Sequence, residues 1–160
     1  MKKLLNSIMI AAAFAAAATA QSTNAYVFVG PGGATGVANT QGTLQTGAGV
    51  ELALPKGFGA GAEIGAISHF QSWGESTLGV FSPTGYYHIL RNKDRKLDPF
   101  VDAGYTMFWR DGHENLFHFG GGVNYWATRH FGARVELRDQ VDTTYSTIHY
   151  WGFRLAVAFR

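Results

Sequence analysis

The 160-residue sequence contains no cysteine. A disulfide scaffold and a thiolate metal site are therefore excluded. Proline is scarce, with four residues at 31, 55, 83 and 99, so long extended segments can form with few breaks. Beyond residue 20 no apolar run approaches the roughly 20 residues that a spanning helix needs. If that part of the chain enters a membrane it must do so as a closed barrel, because only helices and barrels satisfy every backbone group there. A basic excess is also missing. Thirteen Lys and Arg face eleven Asp and Glu, but two of the bases are Lys2 and Lys3. Eleven bases and eleven acids remain once the first 20 residues are set aside, and no nucleic-acid partner is indicated.

The first 20 residues begin Met1-Lys2-Lys3, continue through an Ala-rich apolar run and end Ala18-Thr19-Ala20. A basic start, an apolar middle and an A-x-A end read as a cleavable signal peptide over 1–20. Residues 21–160 are then one exported domain, small enough for a single fold unit.

Glycine (21 residues) and aromatics (14%) are plentiful, and they fall into alternating patterns. The clearest is 150–160. Trp151, Phe153, Leu155, Val157 and Phe159 form one set; Gly152, Arg154, Ala156 and Ala158 form most of the other. This is a strand with one greasy face and one small or polar face. Similar segments span 25–30, 46–54, 58–68, 77–90, 99–109, 116–127 and 131–141. Pro83 predicts a bulge or break in the fourth of these. Residues 31–45 have no periodicity and read as a loop. Eight sequential antiparallel strands that close on themselves leave no edge.

The minority faces carry Glu51, Glu63, Asp102, Arg134, Glu136, Arg138 and Arg154. In a membrane barrel these meet in a narrow lumen, where opposite charges pair. An Arg turned to lipid near mid-bilayer would cost about 2–4 kcal/mol. The large faces are lightly built at Ala60, Ala62, Ala103 and Ala133, which suits a lipid contact better than a soluble core. Aromatics cluster near strand ends. Trp109 and Trp151 are expected at the outer interface, and Tyr86, Tyr87, Tyr125, Trp126, Phe131 and Phe159 at the inner one. The aromatic girdle is drawn chiefly from Trp109, Tyr125, Trp151 and Phe159.

Three segments carry a resemblance: Pro99-Phe100-Val101-Asp102-Ala103-Gly104, Phe119-Gly120-Gly121-Gly122-Val123-Asn124-Tyr125, and Phe131 through Asp139 with its Gly132-x-Arg134-x-Glu136-x-Arg138 spacing. Together they resemble the OmpA/OmpX-like outer-membrane β-barrel families, in outline over the whole of 21–160 and in detail over 99–160. The resemblance implies an all-β fold, an eight-stranded antiparallel up-and-down transmembrane barrel. It also implies a polar, salt-bridged interior formed by the seven charged residues above. The expected partners are outer-membrane lipid and the barrel-insertion machinery, which would read strand 150–160. The family usually ends on an aromatic, whereas here Phe159 is followed by Arg160. The chain stops with the barrel, so cell-wall tethering by a following domain is not expected.

Six histidines (69, 88, 113, 118, 130, 149) show no metal-ligand spacing, and no cofactor or metal is called for. The glycine-rich stretches 30–36 and 120–122 lack the Lys and helix of a phosphate loop. The expected function is an integral outer-membrane barrel of a Gram-negative-type bacterium, structural and non-enzymatic, with a side-chain-filled lumen rather than a wide pore. Two alternatives stay open. One is a secreted or periplasmic lipocalin-like barrel with a small apolar ligand. The other is a lipid-modifying barrel enzyme using His149 with Ser146 and Asp142.

Overall fold

Alternation of large apolar with small or charged residues becomes eight strands in a computed structural model, which describes residues 22–36, 40–72, 74, 76–89, 96–110, 112–142 and 147–160. They are β1 (Ser22–Thr35), β2 (Gln41–Ala53), β3 (Phe58–His69), β4 (Leu78–His88), β5 (Leu97–Trp109), β6 (His113–Trp126), β7 (Phe131–Asp142) and β8 (Ile148–Phe159). Each pairs antiparallel with the next, and β1 pairs with β8 to close the barrel. The closing seam sets Ala25 opposite Phe159 and Thr35 opposite His149. The signal-peptide segment 1–20 lies outside the described residues.

Strand lengths of 11 to 14 residues exceed the roughly 9–11 that a tilted transmembrane strand needs. The connections use local chemistry. At Pro55–Gly57, Lys56 (φ 61°) and Gly57 (φ 85°) both take left-handed backbone, and the Leu54 N–H donates to the Phe58 carbonyl at 2.8 Å. Glycine adopts that conformation without penalty. At the β6–β7 turn the Thr128 hydroxyl accepts from the His130 and Phe131 N–H groups at 3.2 and 3.0 Å.

Two expectations are corrected. Residues 31–45 are not one long loop: β1 continues through Thr35 and β2 begins at Gln41. Glycine hid this pairing, because a residue without a side chain gives no alternation to read. At Gly32 a Cβ would strike the Trp151 carbonyl and the Gly152 backbone, so the bare backbone is what lets β1 approach β8. Nor does Pro83 bulge or end β4, although the ladder to β5 is interrupted there, with no pair at Ser82 or Pro83. The register is constant from Phe81 opposite Met107 to Thr84 opposite Gly104, and Pro83 stays opposite Ala62 of β3. The ring sits on the outer wall and the strand tolerates one missing donor.

The period of two divides the wall. Ile64, Phe117, Phe119, Leu137, Leu155 and Val157 face outward and are exposed. Glutamate, arginine, histidine and serine side chains face inward and are buried. The barrel is therefore polar inside and apolar outside, the reverse of a soluble core.

Candidate functional site

The inward face is stacked in layers, and each layer is supplied by alternate residues of several strands. Nearest the chain termini, His88 on β4 bridges two carboxylates. Its Nδ1 lies 2.9 Å from both Asp98 oxygens and its Nε2 lies 2.7 Å from Glu51 Oε1. Asn124 on β6 donates to Asp98 at 3.3 Å. Glu51 is fully buried, and its other oxygen is 3.3 Å from Arg134. The Arg134 guanidinium is sandwiched by aromatics, 3.9 Å from the Phe100 ring centre and 4.6 Å from that of Tyr26.

The middle layer holds most of the charge. Arg138 meets three carboxylates: Glu63 at 2.7 Å, Glu136 at 2.6 Å and Asp102 at 3.2 Å. Arg154 bridges Glu63 (2.9 Å) and Glu136 (2.8 Å), with its guanidinium 3.6 Å over the Phe28 ring. Arg134 completes the chain of pairs through Glu136 at 2.9 Å. The Tyr26 hydroxyl donates to Glu63 at 2.5 Å and lies 2.9 Å from the Tyr86 hydroxyl. All seven charged residues named from the sequence thus face one lumen and touch within one network. Removing water from an ion costs several kcal/mol, and only such multiple pairing offsets that.

Beyond this layer the polarity falls away. Thr84, Thr106 and Ser82 surround His118, which reaches Thr106 at 2.8 Å and Thr84 at 3.2 Å. Gln45 donates to Gln140 across the lumen at 2.7 Å. At the far end Ile67, Val80, Phe108 and Leu116 form an apolar plug against Leu78 and Tyr150. At the other end Trp126 packs with Tyr26 and Ala158 and is covered by Arg160, 4.2 Å from the ring centre. Side chains fill the interior from rim to rim, which rules out a wide channel.

Trp109, Tyr125, Trp151 and Phe159 all point outward near strand ends, and the two Trp rings lie against Gly79 and Gly33; a Cβ at Gly79 would collide with Trp109, and one at Gly33 would press closely on Trp151. Tyr86 and Trp126 do not join this ring. Both are buried in the lumen. Adjacent residues on a strand must face opposite ways, so Tyr86 and Tyr87 could never share the wall, and that signal was available in the sequence. The interior roles of His88, Asp98, His118, Gln45 and Gln140 were missed for different reasons. His88, Asp98 and Gln45 fall in segments without an assigned phase or read as turn or loop, whereas His118 and Gln140 lie on the small or polar faces of 116–127 and 131–141 and carry no fixed charge that would have counted them into the network.

The local trio His149, Ser146 and Asp142 is not assembled. Asp142 is buried on the lumen side, whereas His149 faces outward and pairs instead with Asp139 at 2.7 Å. Ser146 lies outside the described residues. Among the described residues no three His, Asp or Glu side chains are grouped to hold a metal ion.

A closed eight-stranded barrel with a charged, filled lumen and an apolar outer wall is the architecture of the small transmembrane β-barrels. No family model and no curated protein matches the sequence. Solved structures do match. The N-terminal β-barrel domain of Pseudomonas aeruginosa OprF aligns over 84% of this chain and 96% of its own, at 19% identity and a TM-score of 0.60. Neisserial surface protein A (NspA) aligns over 86% of this chain and 96% of its own, at 9% identity and a TM-score of 0.70. A de novo designed transmembrane β-barrel aligns over 85% and 93% respectively, at 16% identity and a TM-score of 0.53. At these identities the likeness is one of fold, and the resemblance to OmpA/OmpX-like barrels holds at that level.

Proposed function

We infer that the protein is an integral outer-membrane β-barrel with a structural, non-enzymatic role. Residues 1–20 direct export and are removed, and 21–160 insert from the periplasmic side. One observation carries the reading: the buried network of Glu51, Glu63, Asp102, Glu136, Arg134, Arg138 and Arg154 lies inside an envelope whose outer wall is almost wholly apolar. In water such a wall would be one continuous hydrophobic patch far beyond the few hundred Å² that soluble monomers expose. In lipid it is the stable face. The partners are then membrane lipid along the wall and the insertion machinery at β8. The soluble lipocalin-like alternative is disfavoured by the same wall and by the side chains that fill the interior among the described residues.

Gel mobility with and without boiling tests the reading. A closed barrel without edges resists SDS in the cold, runs compactly and shifts on boiling. We expect that shift, with the protein in the outer-membrane fraction. A soluble periplasmic protein with no shift overturns it.

A further inference from the structure

The bases outside the lumen are not shared evenly between the two rims. Among the described residues they are Lys56, Lys96, Arg110, Arg129 and Arg160. All except Arg110 lie at the rim that holds Ser22 and Phe159. Lys56 is in the β2–β3 connection, Lys96 directly before β5, Arg129 in the β6–β7 connection and Arg160 directly after β8. Arg160 is half-buried and the other three are exposed. The described acids of this rim, Glu51 and Asp98, are buried in the lumen on either side of His88. At the far rim Arg110 stands with Glu114, Asp139 and Asp142.

Height on the wall identifies what these bases meet. Lys56 lies two positions before Phe58, Lys96 one before Leu97, Arg129 two before Phe131, and Arg160 one after Phe159. These apolar neighbours are exposed on the outer wall. Phe58 meets Tyr87, and Phe131 meets Phe159, each pair with ring centres 5.2 Å apart. At about 3.3 Å per strand residue, the bases begin within about 7 Å of this apolar edge. The headgroup layer of a bilayer is about 5–8 Å deep on each side. The bases are thus level with lipid phosphates. Arg160 is held there by uncharged groups. Its Nε donates to the Arg129 carbonyl at 3.1 Å, and its guanidinium lies 4.2 Å from the Trp126 ring centre. The His130 Nδ1 lies 3.1 Å from the Arg160 carbonyl oxygen. These contacts fix the position of the guanidinium without cancelling its charge.

We propose that this rim is a collar for phospholipids of net negative headgroup, centred on Arg129 and Arg160. A phosphate oxygen accepts from a guanidinium, and the acyl chains run along the wall past Phe131 and Phe159. A headgroup that carries its own ammonium already neutralises its phosphate and gains less. The collar rests on the membrane reading above, which sets this rim in the periplasm-facing leaflet.

Phe131→Trp places a reporter beside Arg129, and its signal is the difference from the unsubstituted chain. Phosphatidylcholine vesicles at low salt would carry a small fraction of brominated phosphatidylglycerol or, separately, of brominated phosphatidylcholine. Attraction to one base near the surface corresponds to about a fivefold preference for the anionic lipid. That preference should fall toward unity as salt rises, because exposed charges are screened. Arg129→Gln with Arg160→Gln in the reporter chain should erase it while the protein still shifts on boiling. The salt series keeps every base and so does not depend on how that variant folds. Equal quenching by the two lipids, a preference indifferent to salt, or one that survives both substitutions overturns the collar and leaves the membrane reading intact. No quenching by either lipid overturns both.

Discussion

Glu63 and Arg138 are 75 positions apart in sequence and 2.7 Å apart in the lumen. Arg138 reaches Glu136 and Asp102 from the same place. Replacing it by Met would leave three buried carboxylates short of a cation. Breaking a buried pair in this way costs about 3–5 kcal/mol. Urea unfolding of Arg138→Met in vesicles should show a loss of that size. Adding Glu63→Gln should return part of it, since one orphaned charge is removed with its partner.

Ile64 faces outward near the middle of β3 and is 61% exposed. In lipid, Ile64→Arg should cost about 2–4 kcal/mol in the same unfolding measurement. If the wall instead faced water, the change would fall within about 0.5 kcal/mol of neutral. The size of the effect separates the two environments with one substitution.

Gly49 lies over the Tyr26 ring, and a Cβ there would strike its hydroxyl end. Gly49→Val should therefore push Tyr26 away from Glu63 and destabilise the barrel by about 1–3 kcal/mol. Gly112, with nothing near its Cβ position, serves as the control, and Gly112→Ala should leave the unfolding midpoint nearly unchanged.

The plug of Ile67, Val80, Phe108 and Leu116 closes the rim away from the termini. In planar bilayers the wild type should show no porin-scale conductance. Leu116→Ala should cost about 2–5 kcal/mol of stability, yet should still not open a wide path, because the charge network and the Gln45–Gln140 bridge lie behind it. Steady large conductance from the wild type would contradict the filled lumen.

Much of this barrel could be read from residues two apart. β7 and β8 declare their phase because Arg134, Glu136, Arg138 and Arg154 alternate with large apolar neighbours. The lumen charges followed from that phase, since lipid permits only one sign of it. What stayed hidden depended on neighbours rather than on local pattern. Gly30 to Thr35 offers too few side chains to alternate, and it is a strand because β2 and β8 flank it. Pro83 reads as a breaker until its outward position shows that the wall absorbs it. The His149–Asp139 pairing joins two adjacent strands, so neither strand alone announces it.

The seam between Ala25 and Phe159 joins nearly the two ends of the described chain. No hairpin formed along the way removes the open flanks of β1 and β8; only the final pairing does. Assembly is thus all-or-nothing in time. β1 must wait unpaired on one side until the last dozen residues arrive, and such distant pairing is intrinsically slow. For that interval the molecule is a sticky ribbon in need of a guardian, and an early stop in translation yields not a smaller barrel but an open sheet with two adhesive borders.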